Sequence, residues 1–215
     1  MPISQNFSDD FIENQNYFRQ RHNIPTLKYS KSLSKDCKKW AEHLFKINDV
    51  MHSQPDNIQR QKNTGETIYH RFIKNDNGSG YQLRGKEPVD HWYNQNIDVL
   101  LAMMKNSKFS FEKQNSVIST DSGLPQTPQT PLLDLDSQIN AYYLQNPKSD
   151  FGNITQMLWL NSKKCGVYAG EQNGLYIVVA HYEPGGNIFG QYQQNLKPVA
   201  SKTKQVLNVM RSVIS

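Results

Sequence analysis

No apolar run in the 215 residues approaches the roughly 20 that a bilayer-spanning helix needs. Any membrane contact is therefore confined to the lipid surface. The first residues, Met1 to Asn6, are neither basic nor apolar, so the chain is expected to carry no secretory leader. No glycine follows Met1, so N-myristoylation is not expected. Cysteine is also scarce: Cys37 and Cys165 are too few for a disulfide framework. They are read as buried free thiols packing as small hydrophobes, a usage that suits a reducing compartment. These absences together point to a cytoplasmic protein.

Lysine and arginine number 24 against 19 aspartates and glutamates, a net charge of +5. The resulting pI of about 9.1 permits anionic partners without choosing among them. No basic–aromatic motif accompanies the charge, so nucleic acid is not an expected partner. The length suits one large domain or at most two small ones, and 36% hydrophobic content leaves room for long polar loops.

Several elements can be placed from pattern. Ser8 is expected to cap a first helix, with Asp9 and Asp10 complementing its dipole and Phe11, Tyr17 and Phe18 among its apolar groups. In a second helix Leu33, Cys37, Trp40 and Leu44 form one buried stripe. Lys31, Lys35 and Lys38 repeat on another face, with Lys28 and Lys39 nearby. That face reads either as ordinary solvated surface or as a patch for acidic lipid headgroups. Pro88 fits the first turn of a third helix carrying Val89, Trp92, Tyr93 and Leu100. A short helix is expected around Thr155–Trp159, with a polar start at Asn153 and Thr155. Cys165–Ala169 and Leu175–Tyr182 then read as a hairpin about Asn173 and Gly174.

The run GNITQMLW at 152–159 has the form G-H-F-T-Q, two hydrophobics and W. The run IVVAHYEPGGNI at 177–188 has the form V-V-x-x-Y-x-P-x-G-N-hydrophobic. These paired signatures resemble those of the CAP superfamily, which includes cysteine-rich secretory, antigen 5 and pathogenesis-related 1 proteins. Looser matches are QNYFR at 15–19, HNIPTL at 22–27, MHS at 51–53, GETI at 65–68 and WYNQ at 92–95. The resemblance implies an α+β fold, a three-layer α-β-α sandwich around a central antiparallel sheet. It divides the chain into a first part of that domain (1–104), an insertion (105–148), a second part (149–200) and a basic tail (201–215). The insertion is expected to be mobile through Asn115–Thr130, which is rich in Ser, Thr, Gln and Pro, while Ile139–Leu144 is a candidate to dock back. The tail reads as an amphipathic helix using Val206, Leu207, Met210, Val213 and Ile214, or as a frayed end.

Many members gather two histidines and two glutamates in a cleft, where the histidines can hold a divalent metal. The matching positions here are His52, Glu66, Gln95 and Asn153. Two of the four have lost their titratable group, so no metal, no cofactor and no catalytic residue is expected. His52 is instead expected to hydrogen-bond Glu66, Gln95 and Asn153, and His70, His91 and His181 read as ordinary polar residues. The Golgi-associated plant pathogenesis-related branch is the most similar one. It implies a non-enzymatic protein that binds acidic or other lipids, associates peripherally with Golgi or endosomal membranes, and forms homodimers. Lys28, Lys31, Lys35, Lys38 and Lys39 are then the lipid-binding candidates.

Two further readings compete. Leu132, Leu133, Asp134, Leu135 and Asp136 resemble a clathrin-box peptide, which would make the insertion a scaffold for an endocytic partner. Phosphorylation at Thr127 or Thr130, each followed by proline, would add charge beside it. The plainer alternative is that these leucines anchor the loop onto the domain. A residual metal-dependent hydrolase is the remaining reading.

Overall fold

A computed structural model of the protein describes residues 3–53, 63–74, 81–116 and 133–200. Its sheet has four strands: β1 (Lys28–Tyr29), β2 (Gly65–Phe72), β3 (Lys164–Gln172) and β4 (Leu175–Glu183). Their order is β1-β3-β4-β2. Asn173 and Gly174 take φ of 52° and 82°, the left-handed pair that a tight two-residue hairpin turn needs. The expected β3–β4 hairpin thus forms, extended by a few residues at its ends. β2 pairs antiparallel with β4, but β1 runs parallel to β3, so one edge departs from an all-antiparallel sheet.

Alternation along β4 separates two cores. Ile177 and Val179, with Ile68 of β2, pack on Cys37, Ala41 and Leu44 of α2 (Lys31–Ile47). Tyr176, Val178, Ala180 and Tyr182 face the other way, into a larger core. That core is closed by α1 (Phe7–Arg21), α3 (Lys86–Ser116) and α5 (Phe151–Met157). Three layers result, as the α-β-α expectation requires.

The sequence reading needs correction at several element ends. α1 starts from Asn6 rather than Ser8, without a side-chain cap. Asp10 instead accepts from the Lys86 backbone N–H at 3.0 Å, tying α1 to the start of α3. The buried stripe of α2 is Cys37, Ala41 and Leu44, with Leu33 and Trp40 half-buried at its margins. Ser30 caps that helix, and its first turn crosses β3 so closely that a Cβ at Gly166 would sit 2.3 Å from the Ser34 nitrogen. α5 begins one residue after Asp150, which places Asn153 and Thr155 inside the helix rather than at its cap.

The expected boundary at 104/105 falls within α3, which continues without a break to Ser116. Leu100, Met104 and Ser107 prolong its buried stripe at helical spacing. Farther on, α4 (Leu135–Gln145) docks on the domain. Leu135 and Ile139 are fully buried, each stabilising by roughly 1.5–3 kcal/mol. Tyr142 and Tyr143 pack against Phe151, while Leu144 stays exposed. Residues 117–132, including Thr127, Thr130 and Leu132, and the tail 201–215 lie outside the described residues.

Candidate functional site

The two signature segments meet in a hydrogen-bonded bracket. Gln156 on α5 accepts from the Gly186 N–H at 2.8 Å and donates to Ser162, whose hydroxyl donates to the Pro184 carbonyl. Thr155 donates to Asn187 Oδ1 at 2.7 Å, and the Asn187 amide returns a bond to the Gly152 carbonyl. A side chain at Gly186 would put its Cβ 2.7 Å from the Trp159 ring, so only glycine lets the turn approach so closely.

Beneath the bracket lies Arg19, fully buried on α1. Its guanidinium donates to the carbonyls of Pro25, Met157, Trp159 and Ser162 at 2.8–3.0 Å. Burial pulls its pKa down to about 10, and it remains charged at neutral pH. A cation satisfied by four carbonyls holds the turn after α5 in place; it is architecture rather than chemistry.

The cleft lies on the β2 side of the sheet. Glu66 of β2 stands opposite His181 of β4 in the antiparallel register, and both share the face that carries Ile68 and Val179. His181 Nε2 donates to Glu66 Oε2 at 2.9 Å. His52, in the segment after α2, donates from Nδ1 to Glu66 Oε1 at 2.8 Å, and the Ser53 N–H donates to the same oxygen. Burial alone would push the Glu66 carboxyl up, but these bonds outweigh it and hold the pKa at about 2. The bond to Glu66 raises the pKa of His52 against the opposing effect of partial burial.

The remaining tetrad positions do not join this cluster. Gln95 is exposed on α3, and no hydrogen bond links it to His52 or Glu66 among the described residues. Asn153 is buried and points its amide at the Ile68 carbonyl, a long 3.5 Å contact. The expected four-residue network therefore reduces to His52 and Glu66, with His181 taking the other carboxylate oxygen. His181 was not distinguishable in sequence, because its role depends on how β2 registers against β4. A second pair, His91 and Asp150, approaches to 3.7 Å. His91 holds the Asp150 carboxyl below its ordinary range against partial burial, with smaller contributions from His70 and His52.

This donor set does not fit zinc. Both Glu66 oxygens are occupied, and His52 and His181 each aim a ring nitrogen at Glu66. Among the described residues no three His, Cys, Asp or Glu side chains converge as a ligand set, whereas zinc sites take three or more. General acid–base work is poorly served as well. A carboxylate with a pKa near 2 and three donors on it neither gives nor takes a proton readily at neutral pH.

The clathrin-box reading meets a physical obstacle. Asp134 caps α4 by accepting from the Ser137 N–H, and Leu135 is 2% exposed. Asp136 accepts from the N–H groups of Tyr192 and Gln193, capping the short helix α6 (Tyr192–Asn195). A docking peptide must be extended and accessible, and here only Leu133 of the described motif residues presents an exposed apolar side chain. Of the described leucines, Leu135 anchors the segment and Leu133 does not.

All five lysine candidates are exposed. Lys38 pairs with Glu42 at 3.8 Å and Lys39 with Asp36 at 3.7 Å. No carboxylate lies within ion-pairing distance of Lys28, Lys31 or Lys35 among the described residues.

A three-layer sandwich braced by these two signatures defines a class. The model of the cysteine-rich secretory protein family, CAP, matches residues 12–182, and the chain belongs to that family. It is similar to the Golgi-associated plant pathogenesis-related protein 1 of Homo sapiens, 26% identical over 200 residues, covering 91% of this chain and 95% of that protein. The solved structure of BmVAL-1 superposes with a TM-score of 0.51 at 20% identity, over 92% of this chain and 82% of that one. The structure titled NaASP2 with Zn2+ gives 0.52 at 16% identity, over 95% of both chains. These two likenesses establish the shared fold.

Proposed function

We propose that this CAP-domain protein is a non-enzymatic module that associates peripherally with anionic lipid surfaces. The observation that carries the reading is the group of exposed lysines with no carboxylate partner among the described residues, Lys28 in β1 and Lys31 and Lys35 at the start of α2. The first turn of α2 holds no acidic residue, so the partial positive charge of the helix end adds to theirs. Each lysine near a negatively charged membrane contributes about 1 kcal/mol, and several acting together give binding that salt weakens. No described helix is long and apolar enough to cross a membrane, so attachment by this route is reversible. The name of the similar human protein associates that protein with the Golgi, and the cytoplasmic face of a Golgi or endosomal membrane is the location inferred for this chain. A non-enzymatic role is supported by the cleft, whose carboxylate is spent on three internal hydrogen bonds.

Co-sedimentation with phosphatidylcholine vesicles, with and without phosphatidylserine and across a salt series, tests this directly. Pelleting selective for the anionic vesicles, lost at high salt and lost in Lys28→Glu/Lys31→Glu/Lys35→Glu, is the expected result. Failure of the unaltered protein to pellet with anionic vesicles even at low salt would remove the lipid reading.

A further inference from the structure

Pairing of β1 with β3 brings a second group of lysines to the first. The Lys28 N–H donates to the Lys163 carbonyl at 2.9 Å, and Lys28 lies beside Lys164 in the parallel register. Lys163 and Lys164 are both exposed and lie 132 or more positions beyond Lys31 in sequence, so only the sheet joins them. α2 begins two residues after β1 and crosses β3 at Gly166, which keeps Lys31 and Lys35 at the same edge. Among the described residues one carboxylate, Glu183, answers this group by pairing with Lys164 at 3.4 Å, an exposed contact of small energetic weight. On the same edge strand, Tyr29 leaves 46% of its surface in water.

Resting on the lipid reading above, we infer that the membrane-facing surface is this sheet edge rather than the long outer face of α2: Lys28, Lys31, Lys35, Lys163 and Lys164 line the edge, and Tyr29 of the edge strand enters the headgroup layer of an anionic bilayer. The composition selects this partner. All five cations are lysines, compact point charges on flexible stems that suit a diffuse layer of headgroups; the bidentate fork of arginine, which favours fixed phosphate and base geometries, is absent from the group. Tyrosine is the amphipathic ring that prefers the lipid–water boundary. A single ring on a short edge strand gives no stacking platform for a nucleic-acid strand. Farther along α2, Lys38 and Lys39 are already paired with Glu42 and Asp36 and Lys46 stands in the last turn, so the outer face gathers fewer free cations than the edge.

The test uses the full chain on phosphatidylcholine–phosphatidylserine vesicles, with Lys105, exposed on α3, as the control position. Lys28→Glu/Lys163→Glu is expected to bind at least about tenfold more weakly, from roughly fivefold per lysine lost, and Lys105→Glu to bind nearly normally. A nitroxide on Tyr29→Cys should become protected from a water-soluble relaxation agent on binding, while one on Lys105→Cys should not; Cys37 and Cys165 are buried. Circular dichroism of each variant confirms folding before it is scored. If the unaltered protein binds anionic vesicles but the label at 29 stays as water-exposed as that at 105, the edge assignment is overturned and the lipid reading survives. Equal weakening by the Lys28/Lys163 and Lys105 variants overturns it in the same way. If the unaltered protein ignores the vesicles but binds heparin or nucleic acid, both readings fall.

Discussion

The bracket around Arg19 and the cleft around Glu66 both come from family motifs, yet one is complete and the other depleted. In the bracket, Arg19, Thr155, Gln156 and Asn187 all find partners, and Gly186 admits the close approach to Trp159. In the cleft, two of the four tetrad positions carry amides, and neither amide reaches Glu66. The bracket holds the sandwich together, so a change there costs the fold. The two amide positions of the cleft stand outside the hydrogen bonds to Glu66, so the fold does not depend on a complete tetrad. The family match therefore reports architecture far more securely than it reports chemistry.

The largest effect expected from breaking the comparison is on the bracket. Arg19→Met keeps most of the buried volume but strips the donors from four buried carbonyls. Removing one side of such a buried charged network typically costs about 3–5 kcal/mol. The urea midpoint should drop accordingly, and an unshifted midpoint would mean that the carbonyls find other partners and the bracket is not what braces the turn.

A smaller, pH-dependent effect is expected in the cleft. The Glu66 pKa falls from an ordinary 4.5 to about 2, so its stabilisation, on the order of 3 kcal/mol, is complete above pH 4.5 and lost as pH falls toward 2. The raised pKa of His52 acts in the opposite sense: its contribution is present below 6.5 and disappears as pH rises through the raised value. Glu66→Gln should cost about 1–3 kcal/mol at neutral pH and flatten the acid limb of the stability profile. Thermal unfolding across pH reads both. An acid limb as steep as in the unaltered protein would place the titrating group elsewhere.

What could be read beforehand follows from whether the determinants are local. The β3–β4 hairpin was legible because Asn173 and Gly174 take the two left-handed conformations that its turn needs. On α2, helical spacing made Cys37 and Leu44 legible as buried, but it also drew in Leu33 and Trp40 at the margins and missed Ala41. The partnership of His181 was not, because a period of two assigns a face but not a register, and the register joins strands 115 positions apart. Nor was the second half of the basic edge, since Lys163 and Lys164 meet Lys28 only through the β1–β3 pairing. The start of α1 was missed for a different reason: Ser8 and Asn6 are both good capping types, and neither side chain caps the helix.

The smallest expected effect is the sharpest probe of the cleft. Gln95 occupies a tetrad position, but its side chain is in water and touches neither His52 nor Glu66 among the described residues. Gln95→Ala should therefore shift stability by no more than about 0.5 kcal/mol, as exposed positions usually do. It should also leave the His52 titration, followed by NMR of its ring protons, where it was. A displaced titration would show that Gln95 reaches the cluster in solution and that three of the four positions still act together. An unmoved one leaves the His52–Glu66–His181 cluster independent of Gln95, a bystander at its tetrad position.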